Sequence, residues 1–127
     1  MKSRAEKLTR MVSLMKLQLR LSEWQLAQLR QREQDLQDEE VWLVGALNEA
    51  RPPAGSSSES IARRLATTGA GVRTVQAEAE RQIDQVRSQN RRVKHLEQVA
   101  KEALAGKLRA ADMRSLEEIA AVHPVAR

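Results

Sequence analysis

The chain has 127 residues, a formal net charge of +5 and 31% charged side chains, with no Cys, Phe or Tyr and two Trp. That length allows one domain, and the near-absence of large aromatic side chains argues against a compact globular core. Without cysteine there are no disulfides, thiolate nucleophiles or cysteine zinc sites, a composition that suits a reducing cytoplasm.

Ala, Leu, Arg, Gln and Glu, all good helix formers, dominate the chain. Together with a seven-residue periodicity they predict long helix or coiled coil. Leu, Met and Val are interrupted by charge every few residues, so no stretch of about 20 apolar residues is present to span a bilayer. The first residues lack the apolar run of a secretory signal.

A first helix is predicted from Arg4 to Ala50. Alternating steps of four and three pick out Leu8, Val12, Met15, Leu19, Ser22, Leu26, Leu29, Glu33, Leu36, Glu40, Leu43 and Leu47, of which nine of twelve are apolar. A heptad seam held in phase over this length is a coiled-coil signature. The run Arg51-Pro52-Pro53-Ala54-Gly55-Ser56-Ser57-Ser58 then breaks the helix. Proline cannot donate the helical hydrogen bond, and Gly and Ser supply turn conformations. This run reads as the tip of a hairpin.

The second helix is expected over 59–111. Its seam reads Ile61, Leu65, Thr68, Val72, Val75, Ala79, Ile83 or Gln82, Val86, Asn90, Val93, Leu96, Ala100, Leu104 and Leu108. Gly69-Ala70-Gly71 interrupts the pattern, and each glycine costs up to about 1 kcal/mol against alanine in a helix. A short helix capped at Gly69, followed by a longer one, is the alternative. Folding about the turn pairs residue numbers adding to roughly 109, so Leu47 meets Ile61 or Ala62, Leu36 meets Val72, Leu29 meets Ala79 and Leu8 meets Ala100. Ser22 and Asn90 fall near one level and form a candidate polar pair that fixes register. The tail, Asp112 to Arg127, is expected to hold a helical turn or two before Pro124. The fold class is all-α: a long antiparallel two-helix coiled-coil hairpin.

Charge is polarised along such a hairpin. Residues 1–20 carry six basic groups and one acid; residues 87–109 carry seven and two; residues 31–86 carry six and ten. The paired ends are basic, and the segment toward the tip is acidic. Arg4, Lys7, Arg10, Arg87, Arg91, Arg92 and Lys94 are the candidate partner-binding cations, since a field of one sign steers a partner. Read blandly, the same residues are a solvated surface supporting neighbouring turns.

A second apolar stripe, Leu14, Leu17, Leu21 and Trp24, lies on the helix face opposite the seam. One partner helix cannot bury both faces, so the stripe reads as a protein-docking face or a driver of self-association. Near the tip, Val41, Trp42 and Val44 surround the seam residue Leu43. They form either a binding hot spot or a cover for the Ile61 and Leu65 segment.

Enzyme chemistry finds no footing in these residues, and no cofactor is expected. His95 and His123 have no partners at metal-ligand spacing, and no phosphate-cradling glycine loop is present. Nucleic-acid binding is disfavoured because the basic residues are spread among acids without aromatic platforms or a continuous basic region. Membrane association is peripheral at most.

The opening Met1-Lys2-Ser3-Arg4, then Leu8, Arg10 and a Gln-rich helix, together with the closing Met113-Arg114-Ser115-Leu116-Glu117-Glu118-Ile119-Ala120, resembles the FliJ/YscO family of bacterial type III secretion. The closing segment is similar to that family's Leu-Asp-Glu-hydrophobic-Ala ending, with Glu117 in place of the aspartate. The apolar stripe at Leu14–Trp24 departs from the family, where more charge is expected. The resemblance implies a cytoplasmic adaptor at the inner face of the bacterial membrane. Its terminal end would enter a hexameric export ATPase ring, its hairpin tip would reach the export gate, and it would bind export chaperones. The rival is a self-associating coiled-coil scaffold.

Overall fold

The computed structural model describes residues 3–49 and 57–122. It consists of two helices, α1 (Arg4–Asn48) and α2 (Ser58–Val122), which pack against each other as an all-α hairpin. Ala50 and the predicted tip up to Ser56 lie outside the described residues.

Both helices begin with the same device. Ser3 Oγ accepts from the Glu6 amide at 3.2 Å, while Ser3 O takes the Lys7 amide. Ser57 Oγ accepts from the Ser60 amide at 3.1 Å, and Ser57 O takes the Ile61 amide. Each serine satisfies one of the four amides a helix start leaves unpaired, a contribution of about 1 kcal/mol.

The helix pair divides into two compact units. One is Arg20–Arg87; the other joins the chain up to Leu19 with the stretch from Ser88 onward. In the first, the core is Leu43, Ala46 and Ile61, with Leu47 and Leu65 packed on it. Val72, Val75 and Ala79 continue the buried line along α2, and Leu26, Leu29 and Leu36 approach from α1 half-buried. In the terminal unit, Ala5 and Val12 of α1 and Val93 and Ala100 of α2 are buried, with Leu8, Met15, Leu19 and Leu96 half-buried beside them. All twelve predicted seam positions of α1 are buried or half-buried.

Three expectations for α2 change. The helix runs unbroken through Gly69-Ala70-Gly71, so the alternative of a helix capped at Gly69 does not form. The buried side chains on either side, Thr68 before the glycines and Val72 and Val75 after them, keep this stretch in the helix, and a Cβ placed on Gly71 would make an ordinary contact of 3.5 Å with Leu36 Cδ1. Second, helix continues well past Ala111, to Val122, instead of ending in one or two stray turns. Third, Leu104 and Leu108 are exposed and do not belong to the seam. Beyond Ala100 the half-buried positions are Ala103, Ala105 and Gly106. The four-three phase thus holds and selects Ala103, although a larger residue stands next to it.

Polar contacts at the seam also differ from expectation. At Ser22, buried on α1, the bond comes from Gln82, whose Nε2 donates to Ser22 O at 2.9 Å and lies 3.3 Å from Gln25 Oε1. In the terminal unit, Asn90 is half-buried while its neighbour Gln89 is buried, with an Oε1 that has no hydrogen-bond partner among the described residues.

Candidate interaction surfaces

The surface of the terminal unit follows from its helix pairing. Lys16 Nζ meets Glu97 Oε1 at 3.4 Å, and Lys107 Nζ meets Glu6 Oε1 at 3.3 Å. All four side chains are about half exposed, so each pair contributes at most about 1 kcal/mol and is screened by salt. Arg4, Lys7, Arg10, Arg91, Arg92 and Lys94 remain exposed and make no ion pair among the described residues. The terminal unit thus carries a concentration of free positive charge on two adjacent helices.

In the Arg20–Arg87 unit the balance is different. Glu39 takes the Arg64 guanidinium at 2.7 Å across the pair, and Gln31 and Gln34 bond Asp35 and Asp38 one turn on at 2.9 Å each. Arg87, expected among the cations of the basic end, sits in this unit and is exposed.

The residues of the second apolar stripe stay more than half exposed within each unit. Leu14 and Leu17 in the terminal unit are 60% and 58% exposed, and Leu21 and Trp24 in the other unit are 55% and 59% exposed. Met11, one turn before Leu14, belongs with them at 48%; it was missed because it interrupts neither the seam nor the four-residue stripe. Trp24 also lines a shallow groove with Gln25, Gln28, Leu29, Arg32 and Gln82, which the one-dimensional pattern gave no means to see.

Near the end of α1, Val41, Trp42 and Val44 are all exposed. The core contact with the start of α2 is made by Leu43 and Ala46, which pack on Ile61. Val44 instead edges a groove with Glu40, Ala62, Leu65, Gly69 and Arg73. Val41 and Trp42 are thus available as binding residues, while Val44 borders Leu65 near the start of α2.

A further exposed apolar set had no place in the sequence reading as a surface: Leu104, Leu108, Met113, Leu116, Ile119 and Val122 on α2. Its signal was present in the apolar spacing beyond Ala100, which was assigned to the seam and the tail.

Among the described residues, no group of three or more His, Cys, Asp or Glu is placed to hold a metal ion. None of the described helices is long and apolar enough to cross a membrane. No protein-family model, curated protein or solved structure matches the chain.

Proposed function

We propose that this protein is a cytoplasmic, non-catalytic adaptor of a type III protein export machine, binding an export ATPase ring, the export gate and export chaperones through its helix surfaces. The observation that carries the adaptor part is the exposure of Leu14, Leu17, Leu21 and Trp24 on α1. Burying them against a partner removes large apolar side chains from water, at about 25 cal/mol per Å². Helix α2 is already engaged by the seam and is not available to cover them.

The export part is supported by the resemblance of the chain's opening and of Met113–Ala120 to the FliJ/YscO family. In this reading Arg4, Lys7, Arg10, Arg91, Arg92 and Lys94 face a ring pore. The Leu14–Trp24 stripe contacts ring or chaperone, and Trp42 with Val41 and Val44 meets the gate. Cationic steering sets the encounter rate, and apolar contact sets the lifetime of the complex.

Co-purification of the tagged chain from its native host at moderate salt, with the bound proteins identified, tests the assignment. Recovery of an export ATPase or a gate component is the expected result. Recovery of nucleic acid, in an amount that falls steeply as salt rises, points to phosphate binding and refutes the adaptor reading.

A further inference from the structure

Helix α2 outruns its partner. Lys107 bonds Glu6, α1 starts at Arg4, and every α2 residue from Lys107 to Val122 is exposed. A helical stretch this long is marginal in water unless an apolar face is covered.

The stretch has such a face. Leu104, Leu108, Ala111, Ser115, Ile119 and Val122 recur at three- and four-residue steps along α2 and share one side of it. The large members stand toward the two ends of the stripe, and the small Ala111 and Ser115 stand at its middle.

Charge along the same stretch is polarised. Lys107 and Arg109 open it, Glu117 and Glu118 close it, and Asp112 and Arg114 cancel between them.

We propose that this segment of α2 pairs antiparallel with the same segment of a second copy, about a two-fold axis that passes between Ala111 and Ser115 of the stripe. In that register Leu104 of one copy meets Val122 of the other, Leu108 meets Ile119, and Ala111 meets Ser115. The small residues at the centre let the two helices approach closely. Lys107 and Glu118 lie on one flank of the stripe, eleven residues apart and so about three turns. Each Lys107 therefore faces Glu118 of the second copy, and two-fold symmetry makes the contact twice. A parallel pair would set base against base and acid against acid. A foreign helix of one charge sign would match half of the segment and oppose the other half, whereas a second copy matches both. This inference stands independently of the export reading.

Sedimentation equilibrium on the full chain, across the micromolar range, tests it. The native sequence is expected to show a reversible monomer–dimer equilibrium. An acidic variant, K107E with R109E, and a basic variant, E117K with E118K, each set like charges in opposition. Each is expected to dimerise about tenfold or more weakly, a factor worth about 1.4 kcal/mol. Mixed in equal amounts, the two restore every attraction and are expected to form a heterodimer. A native chain that stays monomeric, variants that self-associate like the native chain, or a mixture that associates no better than its components would each overturn the proposal. Because Lys107 also bonds Glu6 within its own chain, a variant carrying Leu108→Gln and Ile119→Gln serves as an independent check. Retention of the native dimer by that variant would overturn the proposal as well.

Discussion

Gly71 of α2 lies against Leu36 of α1, where a methyl group on the glycine would sit 3.5 Å from Leu36 Cδ1. That distance is ordinary van der Waals contact, so alanine fits without moving either helix. Gly71→Ala is therefore expected to stabilise the hairpin by about 0.5–1 kcal/mol, the helix-propensity difference. Gly71→Leu overfills the same gap and is expected to cost about 1–3 kcal/mol. Chemical denaturation followed by circular dichroism reads both. A destabilised alanine variant would show that the two backbones are closer than this contact implies.

Gln89 gives a prediction of opposite origin. Its side chain is buried in the terminal unit with Oε1 unpaired among the described residues. An unpaired buried acceptor costs about 1–3 kcal/mol, whereas an apolar group of similar shape does not carry that penalty. Gln89→Met is expected to raise the unfolding midpoint. An unchanged or lowered midpoint would mean that Gln89 finds a partner in solution.

Two neighbours on α1 separate stability from binding. Leu43 is 1% exposed within the Leu43–Ala46–Ile61 core, so Leu43→Ala is expected to cost about 2–5 kcal/mol. Trp42, beside it in sequence, is exposed. Trp42→Ala is expected to change stability by no more than about 0.5 kcal/mol, as for other surface substitutions, while weakening partner capture. Thermal melts of the two variants, run in parallel, decide the point. A large loss of stability in Trp42→Ala would return this cluster to the role of core cover.

Most of the fold was legible because the α1 seam never loses phase between Leu8 and Leu47 and every seam position is buried or half-buried, although Ala46, beside the seam, is buried more deeply than Leu47. The departures in helix extent and seam fall on α2. Gly69 and Gly71 looked like a helix stop because propensity counts residues one at a time, while the buried Thr68, Val72 and Val75 around them hold the helix through its seam. Leu104 and Leu108 looked like seam because they are large. The phase selects Ala103, and the exposed run from Lys107 onward leaves nothing to hold a leucine inward. The candidate surfaces were legible in so far as they are stripes on a helix, such as Leu14 to Trp24. The groove beside Trp24 was not, because it is formed with Gln82 of the other helix.

The adaptor reading is tested most directly by a binding and turnover measurement with the purified export ATPase of the same host. The native chain is to be compared with a variant in which Arg91, Arg92 and Lys94 are changed to Glu. All three residues are exposed and outside the core, so the variant is expected to remain folded. The native chain is expected to bind the ring and raise its ATPase rate, and the variant to lose both effects. Failure of the native chain to bind, or equal binding and stimulation by the two proteins, would contradict the account.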